Sequence, residues 1–274
     1  MSEILKDLST TAMLRANEAN LYASTPFSYN LPQAEVYQGP EISWCITDIP
    51  LMPCNIVFRA RLKAEEVDRK IESIIDKART RKVPLRWWIG KDTEPADLGA
   101  CLEAHGLTTP GATPFMAIDL LSMKTDVPTL SNLNITKVQD KTAFETWCHI
   151  VAECFGIPPQ REPALLRWFT IARDLKLPMH FYLAFQNDEP VATSQLFLAE
   201  GVAGIYYVAT LPKARNQGIG YAVTLKALQE ALGMGYKAGT LQSSKLGEPV
   251  YRRMGFVECG KMTAYQWWYT PPGA

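Results

Sequence analysis

The sequence has no excess of charge of either sign. Its 28 lysines and arginines balance 28 aspartates and glutamates, so the formal net charge is zero at neutral pH. Nucleic acids and anionic membranes attract proteins through broad basic surfaces or lysine-rich blocks, and the sequence contains neither. We therefore expect no nucleic-acid partner and no membrane partner. A small, locally attracted ligand suits this balance better.

Long apolar runs and paired cysteines are also missing. No segment approaches the roughly 20 apolar residues of a membrane span, and the start, Met-Ser-Glu-Ile-Leu-Lys-Asp, does not resemble a signal peptide. The six cysteines form no C-x-x-C pair, and the chain has only three histidines. We therefore predict a cytoplasmic protein with reduced, mostly buried thiols and no metal site.

The apolar content is sufficient for two ordinary domains, because 47% of the 274 residues are hydrophobic. The segment from Ser122 to Leu130 has little to bury and is predicted to be a linker. Strand-like and helix-like segments alternate on both sides of it. We predict two domains, residues 1–122 and residues 131–270.

One segment of the second half is typical of a phosphate-binding turn. Residues 205–208 are typical of a strand and residues 221–232 of a helix, with a glycine-containing loop between them. A helix N-terminus has unpaired N–H groups and the positive end of the helix dipole, so it suits a diphosphate. Gly218 and Gly220 lack the Cβ atoms that would hold a phosphate away, and glycine also tolerates the positive φ that a turn of N–H groups around an anion can require. Arg215 adds a forked cation. The loop is therefore predicted to bind a diphosphate.

The spacing of the loop excludes two common phosphate motifs, since neither G-x-G-x-x-G nor the Lys-Ser/Thr pair of a P-loop is present. The pattern R-x-x-G-x-G that begins at Arg215 resembles instead the GNAT acetyltransferase superfamily. A Tyr-x-x-x-Gly-Phe pattern that begins at Tyr251 lies where this superfamily has its last helix. The resemblance covers about residues 133–269. The alternative is a chance glycine turn that enters an ordinary helix.

The resemblance implies acetyl-coenzyme A as the acyl donor, with its pantetheine arm paired to the strand before the loop. Val208 would then supply the oxyanion donor through its backbone N–H, and Tyr251 would protonate the leaving thiolate. The alternative for Val208 is ordinary strand packing, and the alternative for Tyr251 is a half-buried tyrosine in the core. Many relatives carry an asparagine where this chain has Ser244, which weakens the expectation of a side-chain contact there. The implied cofactor-binding residues are Val208, Ala209, Thr210, Arg215, Asn216, Gln217, Gly218, Ile219, Gly220, Tyr221 and Ser244.

The first half resembles the second in its order of elements. A strand at 55–62, a helix from Ala64, a strand at 85–89 and a second helix follow one another. In place of the glycine loop it has acidic residues between Lys63 and Asp68, whose carboxylates would repel a diphosphate. We interpret this half as a degenerate domain without cofactor binding, with an unrelated α/β domain as the alternative. The predicted fold class is α/β (α+β): two acyl-CoA N-acyltransferase-like domains in tandem, each a mixed, mostly antiparallel sheet flanked by helices.

The general base has no clear candidate in the sequence. Relatives often carry a glutamate on the strand at 204–208, where this chain offers Tyr206 and Tyr207. Glu153 and Glu200 are weak candidates, since a solvated surface carboxylate is the more common role. His180 is interpreted as structural. Aromatic residues lie on the two helices that frame the acceptor pocket in relatives, although such residues usually form core: Trp147, Phe155, Trp168 and Phe169.

Together these features predict an N-acetyltransferase that transfers an acetyl group from acetyl-coenzyme A to a primary amine of a small molecule or peptide. We expect it to act as a monomer or homodimer. The alternative function is a non-catalytic acyl-coenzyme A sensor or regulatory module, which would bind the same cofactor without turnover. A transferase that uses charged tRNA would need a basic groove, and the balanced charge argues against it.

Overall fold

The computed structural model describes residues 3–25, 33–125, 130 and 132–270. The chain forms two compact units. Unit 1 consists of Met1–Leu21 and Pro114–Gly260, and unit 2 of Tyr22–Thr113 and Lys261–Ala274. This division differs from the boundaries predicted at 1–122 and 131–270, because each terminal segment belongs to the other unit. Residues 126–129 of the predicted linker and residue 131, the predicted start of the second domain, lie outside the described residues.

The helices and strands are as follows. The helices are α1 (Thr10–Ala23), α2 (Val67–Thr80), α3 (Leu98–Ala104), α4 (Lys141–Cys154), α5 (Glu162–Asp174), α6 (Ile219–Gly233) and α7 (Glu248–Met254). The strands are β1 (Glu35–Gln38), β2 (Ser43–Ile46), β3 (Ile56–Phe58), β4 (Leu85–Ile89), β5 (Ala112–Asp119), β6 (Leu133–Lys137), β7 (Met179–Gln186), β8 (Glu189–Ala199), β9 (Val202–Thr210), β10 (Ala238–Gln242) and β11 (Val257–Trp267). None of the described helices is long and apolar enough to cross a bilayer.

Unit 1 is built on a mixed sheet in the order β5-β10-β9-β8-β7-β6. Neighbouring strands are antiparallel except β9 and β10, which are parallel. Helix α6 buries Val223, Ala227 and Leu228 against this sheet, in one apolar cluster with Tyr182, Leu196 and Ile205. Burial of apolar side chains between helix and sheet is the main stabilising term of such a layer. The predicted fold class, a mostly antiparallel sheet flanked by helices, is confirmed.

Unit 2 has a smaller sheet in the order β1-β2-β3-β4, and the part of β11 from Thr263 to Trp267 pairs with β4 as its last strand. Here too one pair, β3 and β4, is parallel and the other pairs are antiparallel. Helix α2 follows β3 as α6 follows β9, and α3 follows β4 as α7 follows β10. The order of elements is therefore repeated in the two units.

The last strand of each repeat pairs outside its own half of the sequence. Strand β5 follows α3 but pairs with β10 in unit 1, and β11 follows α7 but pairs with β4 in unit 2. Helix α1, at the start of the chain, likewise packs on unit 1. This exchange explains why boundaries drawn at the linker differ from those of the compact units.

Candidate active site

Strand β9 carries a bulge just before its end. Thr193 pairs with Ala209 and Gln195 with Tyr206, so the single residue between Thr193 and Gln195 lies opposite both Tyr207 and Val208. Tyr207 has a positive φ of 47°, and its carbonyl accepts a hydrogen bond of 2.8 Å from Thr193 Oγ1. A bulge leaves its extra residue outside the regular ladder. The bulge thus lies at the position that the sequence predicts for the oxyanion donor, Val208.

Strands β9 and β10 separate after a short parallel contact. They pair only at Ala203 with Gly239 and at Gly204 with Thr240, while β9 continues to Thr210. In the described part of the chain no strand pairs with β9 on this side beyond Gly204. We call this gap between β9 and β10 the crevice. It exposes the edge of β9 to a ligand that can pair with it as an added strand does.

The loop after β9 is shaped by two positive φ angles before α6 begins. A 3-10 turn at Pro212–Ala214 leads to Asn216, with φ of 62°, and to Gly218, with φ of 82°. A Cβ added at Gly218 would meet only Leu130 Cδ1, at 3.9 Å. A Cβ at Gly220 would make an ordinary contact of 3.5 Å with Thr210 Oγ1. Within the protein itself, Gly218 is therefore required by its backbone conformation rather than by crowding.

Four successive backbone N–H groups are available at the start of α6. Among the described residues, the amides of Gln217, Gly218, Ile219 and Gly220 donate to no protein atom, and Gly218 has no side-chain cap. The ladder of α6 begins with Ala222, whose amide donates to the Gly218 carbonyl at 3.0 Å. Unpaired amides and the positive end of the dipole together favour an anion here. The geometry thus retains the donors that a diphosphate needs.

The side chains of the predicted loop residues have varied environments. Arg215 is exposed and donates from Nε to the Thr210 carbonyl at 3.0 Å, and Gln217 Oε1 accepts from Gln186 Nε2 at 2.8 Å. The Tyr221 hydroxyl donates to the Lys124 carbonyl at 2.9 Å. Ala209 and Ile219 are buried, whereas Asn216 is exposed. Among the predicted binding residues, all of which the structure describes, Arg215 is the one that adds a cation to the amides.

Tyr251 is 8% exposed on α7, in the same apolar cluster as Ile219, and Val208 packs against that cluster. The Tyr251 ring lies edge-on to Phe256, with the two centroids 5.7 Å apart. A Cβ added at Gly247 would lie 2.8 Å from Tyr251 Cε2. Burial raises the pKa of Tyr251 well above its usual value of 10.0. The phenol is therefore in its protonated form at neutral pH.

Ser244 forms hydrogen bonds with the start of the helix that carries Tyr251. Its Oγ accepts from the Gly247 amide at 3.1 Å, and its carbonyl accepts from the amides of Gly247 and Glu248. This hydroxyl bonds the amide of the residue that precedes α7, as serine side chains commonly do in turns. Within the described contacts, the Ser244 side chain positions α7.

Residues 144–256 match the model of the Acetyltransferase (GNAT) family. Unit 1 contains a GNAT acetyltransferase domain. The match spans α4 to the end of α7 and includes the bulge, the crevice, the glycine loop and Tyr251. The match supports acyl transfer as the general reaction of this domain.

Solved structures similar to the whole chain share the GNAT fold. A GCN5-related N-acetyltransferase from Kribbella flavida is 19% identical, with a TM-score of 0.68 and coverage of 98% of both chains. A GCN5-related N-acetyltransferase from Sphaerobacter thermophilus is 17% identical, with a TM-score of 0.65 and coverage of 96% of this chain and 92% of that chain. A tandem GNAT protein from the clavulanic acid biosynthesis pathway is 12% identical, with a TM-score of 0.61 and coverage of 97% and 96%. Comparison with curated proteins gives no match.

The carboxylates considered as general bases of the GNAT domain are on its surface. Glu153 is exposed at the end of α4, and Glu200 is exposed in the β8–β9 turn. His180 lies 3.4 Å from Glu230 through Nδ1, and burial lowers its pKa. The lowered pKa favours the neutral form of His180.

The aromatic residues of α4 and α5 surround the bulge of the GNAT domain. The Tyr207 ring lies 5.8 Å from Trp147, 5.8 Å from Phe155 and 5.0 Å from Phe169, measured between centroids. Trp147, Phe169 and Trp168 are buried, whereas Phe155 is 54% exposed. The buried rings stabilise the strained backbone of Tyr207 by packing. Phe155 leaves an aromatic surface open beside it.

Helix α1 also contributes to this site, although no pattern in its sequence led to that prediction. The Tyr206 hydroxyl donates to Asn20 Oδ1 at 2.7 Å, and Asn17 contacts β5 and β10. The sequence holds a signal for it, because Asn17 and Asn20 lie three residues apart on the helix face that also carries Met13, Ala16 and Leu21. Buried amides on an otherwise apolar face indicate specific hydrogen-bond partners.

Proposed function

We propose that the GNAT domain transfers an acetyl group from acetyl-coenzyme A to a primary amine of a small molecule or a peptide. The observation that carries this proposal is the set of four unpaired amides from Gln217 to Gly220, next to the end of a strand that borders an open crevice. An acyl donor with a diphosphate at one end and an amide-containing arm at the other fits both features.

The diphosphate would be held by the amides of Gln217, Gly218, Ile219 and Gly220. Hydrogen bonds from backbone N–H groups to an anion are strengthened by the charge and by the helix dipole. Arg215 is exposed beside the loop, and its bond to the Thr210 carbonyl leaves other guanidinium N–H groups for phosphate oxygens. Asn216 and Tyr221 flank the same turn. Binding of the donor would thus depend mainly on backbone shape and one cation.

The arm of the donor would lie in the crevice along Val208, Ala209 and Thr210. In such a pairing the bulge at Tyr207 and Val208 would let the Val208 N–H face the thioester oxygen. Acetyl-coenzyme A supplies an activated acyl group. The protein supplies position and a donor where negative charge develops on that oxygen.

Proton movement completes the reaction. The amine nitrogen forms a bond to the acyl carbon, the carbon–sulfur bond breaks, and the electron pair of that bond goes to sulfur. The Tyr251 phenol, which is protonated at neutral pH, would give its proton to the departing thiolate and would regain a proton from water. The proton lost by the amine would leave through water, since Glu153 and Glu200 are both on the surface.

Unit 2 is proposed to be a degenerate copy that does not bind the donor. Helix α2 of this unit is the counterpart of α6. It follows a turn at Ala64–Glu66, which contains the carboxylates of Glu65 and Glu66. Asp68 lies in the first turn of α2 itself. Carboxylates at a helix start stabilise the helix but repel a diphosphate. One diphosphate site for each chain is therefore expected.

A thiol-release assay with acetyl-coenzyme A against a broad panel of amines tests this function. Turnover with at least one amine, together with a rise in melting temperature on adding acetyl-coenzyme A, is the expected result. A sensor or regulatory module would show the thermal shift but no thiol release with any amine. No thermal shift and no binding heat would contradict the diphosphate site itself.

A further inference from the structure

The geometry points to a clamp in unit 1: Asn17 and Asn20 of α1 are positioning residues that fix the crevice at the width needed by the arm of the acyl donor. The inference rests on the proposed function of the crevice. It assigns a role to a helix that lies outside the part of the chain matched by the family. The two asparagines hold opposite sides of the crevice.

Asn17 holds the β10 side. Its Nδ2 donates to the carbonyls of Met116, at 3.0 Å, and Leu241, at 3.2 Å. Its Oδ1 accepts from Gln242 Nε2 at 2.6 Å. Met116 and Leu241 are register partners in β5 and β10, and Leu241 is the residue directly after the last β9–β10 pair. Asn17 therefore binds β10 where it parts from β9.

Asn20 holds the β9 side. Its Nδ2 donates to the carbonyls of Phe197, at 3.4 Å, and Ala199, at 2.9 Å, both in β8. Its Oδ1 accepts from the Tyr206 hydroxyl of β9 at 2.7 Å. Phe197 is the register partner of Gly204, the last residue of β9 that pairs with β10. Both asparagines thus act at the point where the crevice opens.

Asparagine is suited to both positions because each side chain donates to carbonyls and accepts from a side chain. Aspartate would lack the donors and would place its charge against backbone oxygens. Both residues are fully buried, so loss of either amide leaves carbonyls or hydroxyls without partners. A helix turn that bonds to four strands at once couples their positions.

Gly204 shows how closely the clamp is packed. A Cβ at this position would lie 2.0 Å from Asn20 Oδ1 and 2.6 Å from Tyr206 Cε2. The Tyr206 ring therefore lies over Gly204, on the side away from the bulge.

Calorimetric titration of coenzyme A into the full chain tests the clamp, with Asn17→Ala, Asn20→Ala and the double variant. Each single variant is expected to weaken binding roughly tenfold, and the double variant by little more, because a clamp released at one end is already open. KM for acetyl-coenzyme A should rise in parallel, with kcat changed less. Arg15→Ala, at an exposed position of the same helix, is the matched control and should bind as the wild type does.

Tyr206→Phe provides a milder variant if an asparagine variant does not fold, since it removes only the hydroxyl that meets Asn20. It should weaken coenzyme A binding severalfold with the ring retained. Unchanged affinity in folded variants, even with a lower melting temperature, would overturn the clamp and leave Asn17 and Asn20 as structural residues. The clamp would also be overturned if the losses of binding free energy in the two single variants added up in the double variant. If the wild-type chain binds no coenzyme A, the proposed function fails and the clamp fails with it.

Discussion

Arg215 Nε donates to the Thr210 carbonyl at 3.0 Å and so joins the loop before α6 to the end of β9. Arg215→Ala should weaken coenzyme A binding roughly tenfold, since a hydrogen bond to a charged group contributes about 1.5 to 3 kcal/mol. Arg215→Lys keeps the charge but loses the fork, and it should give an intermediate affinity. Calorimetry measures both changes. Lys213→Ala removes a nearby cation that is paired with Glu189, and equal weakening in this control would contradict a specific role for Arg215.

Gly218 provides the second prediction through its φ of 82°. Gly218→Ala should reduce the free energy of unfolding by about 1 to 2 kcal/mol, because the left-handed conformation is unfavourable for a residue with a Cβ. Gly218→Glu should in addition abolish the thermal shift with acetyl-coenzyme A, since a carboxylate would stand at the anion site. Gly233→Ala is the matched control, as a Cβ there meets no atom within 4 Å. A thermal shift retained by the Glu variant would remove the diphosphate from this loop.

Tyr251→Phe separates catalysis from binding. If the phenol protonates the thiolate, kcat should fall by roughly a hundredfold or more while the Kd of coenzyme A stays the same. The ring contact with Phe256 is kept in this variant, so the fold should persist. Tyr236→Phe, another buried tyrosine of the same apolar cluster, is the control and should keep wild-type turnover. Turnover that survives Tyr251→Phe would leave Tyr251 as a packing residue.

Alkaline pH should destabilise unit 1 through the Cys148 thiol. Burial, assisted by the nearby carboxylates of Glu162 and Glu145, raises its pKa from 9.0 to about 12. The folded state therefore keeps its proton while the unfolded state loses it, so this contribution to stability is complete below pH 9 and declines between 9 and about 12. Urea unfolding at increasing pH measures the slope. Cys148→Ala should be less stable at neutral pH but should lose stability less steeply above pH 9, and an unchanged slope would contradict the assignment.

Local features of this fold were predictable because they depend on short-range chemistry. The apolar and aromatic residues of 85–89 predict β4, and the structure has a strand at Leu85–Ile89. The glycine loop was also found from the sequence, because positive φ angles and unpaired amides at a helix start follow from residue type. Two reasons for a glycine at position 218 come from the sequence: its φ of 82° agrees with the expected tolerance of a positive φ, while clearance for a phosphate stays a prediction.

The parts that were missed depend on contacts between distant residues. Nothing in the local pattern of β5 shows that it pairs with β10, which follows more than a hundred residues later. The same holds for α1, whose Asn17 bonds to Leu241 across a separation of 224 residues. The boundary at the linker was drawn from composition, and composition does not record which sheet a strand joins. The buried asparagines were the one local signal of these contacts.

Gly204→Ala should be among the most destabilising single-methyl changes in unit 1. The added Cβ would meet Asn20 Oδ1 at 2.0 Å and the Tyr206 ring at 2.6 Å, and both groups are held by hydrogen bonds to each other. Overpacking of this kind costs about 1 to 3 kcal/mol, so the melting temperature should fall by several degrees. Gly233→Ala adds the same methyl group at an open helical position and should leave stability nearly unchanged. Thermal unfolding of both variants measures the difference, and equal melting temperatures would show that the Asn20–Tyr206 pair can move aside. The pair would then be too soft to hold the edge of the crevice.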